Sequence, residues 1–171
     1  FIATARTVRD LWSGSYLLSW LTAKAMATVL AKANGGTLVC AEDAKNPLVL
    51  FHGEGDAIAK RGVADSKPQD FAGSGTDWKQ QMLSSCLPNT FMFLVEGADD
   101  ARCKTIAIAV EDAVRKEWEA IAKAVKGSLE RVWDAREWAG WDAGWDTQIR
   151  TFWDVRVTWL PARGDIDIQS I

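Results

Sequence analysis

The amino-acid sequence predicts an α+β domain in the split βαβ, ferredoxin-like arrangement, an antiparallel sheet with its helices on one face. Three observations carry that expectation. Two long stretches, one near the start and one in the middle of the chain, repeat apolar residues at helical spacing. Thr90–Val95 is a continuous apolar run bounded by turn residues, the pattern of a strand buried on both faces. Thr151–Leu160 alternates, with Phe152, Trp153, Val155, Val157 and Trp159 as its apolar members, and Pro161 ends it.

Taken in order, Thr4 to Ala33 reads as one long helix, with Leu11, Tyr16, Leu18, Leu21, Ala25 and Val29 at helical spacing. Gly14 interrupts it at a cost of ~1 kcal/mol relative to Ala, so a close approach is expected there. Asn34-Gly35-Gly36 stops the helix. Thr37–Ala41 and Pro47–Phe51 read as a strand pair, or as a strand with an irregular approach, around the polar turn Glu42–Asn46. Residues 52–77 form a surface insertion without sustained period, and Trp78–Cys86 a short helix. After the Thr90–Val95 strand, Asp99 and Asp100 cap a helix to Lys126, striped by Ile106, Val110, Val114, Trp118, Ile121 and Val125. Gly127-Ser128 break it, and a further helix runs from Leu129 to Trp138 before Gly140 and Gly144. With one strand supplied ahead of Phe1, the order becomes β-α-β-β-α-β with extra helices before the last strand. The Phe start, directly in a helical pattern, is read as the mark of a fragment whose first strand is missing or truncated.

Composition limits the function classes. A chain of 171 residues is expected to form a single domain, 1–171. The net charge of −3 confines any nucleic-acid contact to a local patch. Cys40, Cys86 and Cys103 form no CxxC pair and read as free thiols of a cytoplasmic protein. No apolar run reaches the length of a membrane span.

The string Arg6-Thr7-Val8-Arg9-Asp10-Leu11-Trp12-Ser13-Gly14-Ser15-Tyr16-Leu17-Leu18-Ser19 resembles the segment after the first palm strand in the large subunit of type III-B CRISPR RNA-guided effector complexes. Leu87-Pro88-Asn89-Thr90-Phe91 is similar to that family's Leu-Pro-Asn-x-Phe lead into a strand. Trp145-Asp146-Thr147-Gln148-Ile149 with Phe152-Trp153 and Trp159-Leu160-Pro161 resembles its ending. The resemblance implies a noncatalytic first palm domain, whose parent protein pairs it with a second palm. It implies an antiviral role in which target RNA recognition triggers conversion of ATP to cyclic oligoadenylate. ATP and two Mg or Mn ions would be held in the full protein by a Gly-Gly-Asp-Asp turn of the second palm, with no cofactor intrinsic to this chain. Implied partners are that second palm, the other effector subunits and, indirectly, guide and target RNA.

Gly97-Ala98-Asp99-Asp100 mimics the catalytic turn, but it opens a helix, so capping is the reading expected and no metal site is assigned. The candidate nucleotide-binding residues are Arg6, Arg9, Gly14, Ser15 and Ser19. Ser15 and Ser19 share a helix face, Gly14 would admit a ligand to the backbone, and Arg6 and Arg9 lie one turn apart, spaced to meet phosphate. Against this stand salt bridges for Arg9 and Asp10 and plain packing for the small residues. His52, the one histidine, cannot build a His-Asp nuclease site and reads as an exposed loop residue. Trp133, Trp138, Trp141 and Trp145 alternate with acids that repel phosphate, which favours packing over base stacking. No catalytic residue is assigned. Two roles are open to the chain: a composite ATP site completed by the second palm, or an interaction scaffold without nucleotide contact.

Overall fold

Helix α1 (Val8–Lys32) is apolar on two sides, as a helix at the centre of a domain must be. Leu21, Ala25, Val29 and Ala33 recur every four residues and pack against a second long helix, α3 (Asp100–Leu129), through Ile106, Val110 and Val114. Ala23, Met26 and Ala27 face the other way, towards Leu38, Leu48, Val49 and Leu87. The computed structural model describes residues 7–33, 37–39, 46–53, 86–132 and 141–161. Between α1 and α3 come strand β1 (Thr37–Leu38), helix α2 (residues 47–53) and strand β2 (Phe93–Leu94). Helix α4 (Asp142–Thr151) lies beyond α3 in the chain. The two strands pair antiparallel, Thr37 with Leu94 and Leu38 with Phe93, and the Val39 N–H extends the ladder to the Met92 carbonyl at 3.0 Å.

Both long helices are tied at their ends. Asp99 caps α3, its Oδ1 accepting from the Arg102 N–H at 2.8 Å, as the sequence predicts. The Arg102 guanidinium donates to the Ala33 carbonyl at 3.0 Å and so closes the end of α1 against the start of α3. Three side chains staple residues 149–159 to α3. Trp118 Nε1 donates to the Ile149 carbonyl at 2.9 Å, Arg115 reaches the Arg150 and Trp153 carbonyls at 3.5 Å, and Trp159 Nε1 donates to Asp100 Oδ1 at 2.7 Å.

The α+β, ferredoxin-like palm expected from the sequence is not the fold observed. Four helices hold most of the described residues, and among these the extended structure amounts to the two-residue pairing of β1 and β2. An antiparallel sheet carrying helices on one face does not form among them. One cause is local. Pro47–Phe51, expected as a strand, lies in α2, because Asn46 caps it: its Oδ1 accepts from the Leu48 N–H at 3.0 Å, its carbonyl accepts from Leu50, and Pro47 stands at the first helical position, where a missing N–H costs nothing. Thr90–Val95 contributes two half-buried strand residues, with Met92 61% exposed, instead of a strand buried on both faces. Thr151 closes α4, and residues 153–160 join no ladder among the described residues. Helix α3 also runs through Gly127-Ser128, the expected break. The ~1 kcal/mol penalty of one glycine is too small to stop a helix already packed along most of its length. The first helix, expected from Thr4 to Ala33, runs Val8–Lys32, with residues 4–6 outside the described residues. The greater part of the 52–77 insertion, the 78–86 helix as far as residue 85, and residues 133–138 of the 129–138 helix lie outside the described residues.

Two substitutions should separate capping from packing in chemical denaturation. Asp99→Ala should cost ~1 kcal/mol through the lost cap. Met26→Ala, at a fully buried position, should cost ~2–5 kcal/mol. Equal losses would contradict this division of labour between cap and core.

Candidate functional site

The five candidate residues on α1 and at its start do not share one environment. Ser19 is 1% exposed, and its hydroxyl is engaged twice: it accepts from the Leu87 N–H at 3.0 Å and donates to the Leu87 carbonyl at 3.3 Å. Gly14 is buried. Ser15 is half-buried, and its hydroxyl has no partner among the described residues. Arg6 lies outside the described residues, and of Arg9 only the backbone is described. Weighed as a phosphate cradle, the described members therefore offer one available hydroxyl, that of Ser15. The contact between Ser19 and Leu87 joins two of the three stretches that carry the family resemblance.

Beside this face runs an aromatic row of which only Tyr16 is expected on the helix stripe, while Phe51 is expected in a strand and His52 in a loop. Trp12 stacks on Tyr16 with ring centroids 5.4 Å apart, Tyr16 meets Trp20 at 6.3 Å, and Trp20 meets Phe51 at 5.4 Å and His52 at 4.5 Å, the last edge to face. The row leads from the half-exposed Trp12 inwards to α2. Its i, i+4, i+8 spacing is the signal by which the sequence could disclose it. Burial raises the Tyr16 hydroxyl above its ordinary pKa.

At the inner end of the row the charges converge. Glu117 of α3 accepts from Trp20 Nε1 at 2.8 Å and pairs with Lys24 at 3.8 Å. His52, expected as an exposed loop residue, sits instead in α2 against Trp20 and Phe51, and its Nε2 is buried without a hydrogen-bond partner. Burial lowers its pKa from 6.5 to about 4; Glu117 and the Trp20 backbone oppose the shift, and Lys24 adds to it. The imidazole is neutral at pH 7, an apolar packing partner more than a charge. Between α1 and α3 lies an open groove of about 420 Å³ rimmed by Lys24, Lys32 and Lys116. Asp112 holds Lys116 at 2.7 Å and Glu117 holds Lys24, so two of the three rim lysines are offset by carboxylates and Lys32 remains as the excess charge.

The aspartates of the Gly-Ala-Asp-Asp segment are committed to structure, Asp99 to the helix cap and Asp100 to Trp159. Among the described residues no group of three His, Cys, Asp or Glu side chains could hold a metal ion. Trp141 is 58% exposed and Trp145 half-buried at α4, while Trp133 and Trp138 lie outside the described residues. Among the described residues no helix is long and apolar enough to cross a membrane.

Two measurements probe this region. Ser19→Ala leaves the buried Leu87 N–H and C=O unpaired and should cost ~1–3 kcal/mol in denaturant unfolding. Because the folded-state pKa of His52 lies below its ordinary 6.5, the unfolded chain binds the proton first as pH falls. The His52 contribution to stability is thus complete above pH 6.5 and declines towards about pH 4, by at most ~1.4 kcal/mol per pH unit. His52→Phe should flatten that decline in a pH series of unfolding curves; an unchanged slope would refute it.

Comparison with known proteins bears on most of the chain. The family model for CRISPR-associated protein Cmr2, N-terminal, matches residues 1–123, a span that holds α1, the Leu87 contact and most of α3. Comparison with curated proteins finds no match, and neither does comparison with solved structures. The chain belongs to the Cmr2 N-terminal family, and with it to the large subunits of type III-B CRISPR complexes.

Proposed function

We propose that this chain is a docking part of its large subunit, a helical body that seats neighbouring subunits of the type III-B effector complex. Membership of the family implies a multi-subunit assembly. The observation that carries the docking role is the half-exposed Trp12, held rigid by its stack on Tyr16 and presented at the outer end of the aromatic row. Interfaces concentrate their binding energy in such aromatic anchors, whose ordering is settled before the partner arrives. Ile108, Trp141 and Leu160 add apolar area at 57%, 58% and 87% exposure. Contact with guide and target RNA is indirect in this reading, through the subunits docked here.

A second reading rests on Ser15, the one described hydroxyl of the five candidate residues that is not already bonded. It would help position ATP in a site completed by another part of the large subunit, which would supply the acids for Mg or Mn. In this reading the chain contributes placement of the nucleotide and no catalytic group.

The readings separate in the assembled complex. Trp12→Ala should weaken capture of the neighbouring subunits by about tenfold or more, with the thermal midpoint of the isolated chain nearly unchanged. Ser15→Ala should leave both assembly and ATP affinity intact if docking is the role. A drop in ATP affinity for Ser15→Ala, with assembly intact for Trp12→Ala, would overturn docking in favour of nucleotide positioning.

A further inference from the structure

Burial and hydrogen bonding disagree at one indole. Trp20, Trp118 and Trp159 donate their Nε1–H to Glu117, the Ile149 carbonyl and Asp100 at 2.8, 2.9 and 2.7 Å. Trp153 Nε1 is buried and meets no acceptor among the described residues. Its ring is held in place, edge to face against Trp118 at 5.6 Å and Phe152 at 4.9 Å, and it packs on the α1–α3 core. Turning the N–H out to solvent would give up those contacts. Buried donors of this kind are satisfied by protein or by ordered water.

An under-served acceptor lies close by. The last carbonyls of a helix have no partner within it. Of those ending α4, the Ile149 carbonyl accepts from Trp118 at 2.9 Å, whereas the Arg150 carbonyl meets the Arg115 guanidinium at 3.5 Å, beyond the usual range. The same guanidinium nitrogen stands 3.5 Å from the Trp153 carbonyl. Arg115, Arg150 and Trp153, with Trp118, Glu119 and Ile149, line a cavity of about 10 Å³. That is the least room that takes one water, and a buried water needs roughly two to four polar partners to stay. An apolar occupant of this size would leave donor and acceptor unmatched, and a larger ligand does not fit. A water matches both.

We infer that a single bound water is an integral part of the joint between α3 and the end of α4. It accepts from Trp153 Nε1, donates to the Arg150 carbonyl and takes the Arg115 guanidinium as its second donor. Long contacts and an unmatched indole thereby become one closed network, which fixes the direction in which the chain leaves α4. The inference does not depend on the docking role, since neither Trp12 nor a partner subunit enters it.

The test uses the full 171-residue chain with isotope-labelled tryptophan. Water-selective nuclear Overhauser spectra should show a cross-peak between water and the Trp153 Nε1–H with the sign of a contact inside the protein. A water bound through molecular tumbling gives that sign, and surface hydration does not. The Trp20 Nε1–H, bonded to Glu117, should show none. Trp153→Phe keeps an aromatic ring at the position and removes the donor, so that cross-peak should be lost while the other indole signals stay. A crystal structure should place a water oxygen about 2.7–3.2 Å from Trp153 Nε1. A missing cross-peak in the unsubstituted chain, an equal one at Trp20, its survival in Trp153→Phe, or a direct bond from Trp153 Nε1 to a protein acceptor in the crystal would each overturn the inference. The measurements on the unsubstituted chain decide the matter even where the variant fails to fold.

Discussion

The hydroxyl of Ser19 sits in the buried side of α1, where Thr22 is the other buried polar side chain among the described residues. It does two things at once, accepting from the Leu87 N–H and donating to the Leu87 carbonyl. A backbone unit buried outside a ladder or helix must find both partners elsewhere or lose much of the gain from burial. A serine on a central helix is small enough to supply both without opening a cavity. With Leu87 fixed there, the chain beyond it lays Phe91 and Phe93 across both core clusters, and Phe93–Leu94 comes into register with Thr37–Leu38. The position of β2, and through the short turn at Gly97 the start of α3, depends on that contact.

The parts of this arrangement that are legible in the sequence are those whose causes are local. Helix α1 announces itself by periodicity, and the start of α3 by Asp99, whose side chain finds the Arg102 N–H three residues on. The parts that are not legible have two origins. Asn46-Pro47 is a local start signal for a helix, and the β-branched and aromatic residues just after it mask that signal by looking like a strand. The sheet is lost for a different reason. An apolar run such as Phe91–Val95 or an alternating one such as Trp153–Val157 says that a segment meets the core, and it does not say whether its backbone meets another backbone. Ladder pairing is a tertiary fact, and among the described residues it is confined to Thr37–Leu38 with Phe93–Leu94 and the adjoining Val39–Met92 bond.

The same limit governs the site. From spacing alone, Ser15 and Ser19 are equivalent, one turn apart on one face. Leu87, 68 residues distant, removes the equivalence by taking Ser19 inside. His52 illustrates the converse. A histidine in a polar stretch reads as exposed, yet Trp20, Phe51 and Glu117 arrive from three different helices to enclose it, and desolvation then outweighs the neighbouring carboxylate.

What remains for the surface is set by what the interior has used. Ser19 is bonded to Leu87, Lys24 is held by Glu117, Lys116 by Asp112, and Asp99 and Asp100 by the helix start and Trp159. Each polar group so engaged is unavailable to an outside ligand unless the ligand repays the contact it breaks. Trp12 is in the opposite position. Its stack on Tyr16 holds the ring in place while half its surface faces water, so a partner gains apolar burial there without first ordering the side chain. An apolar, pre-ordered surface over a core whose charges are mutually satisfied favours subunit contact over the capture of a small anion.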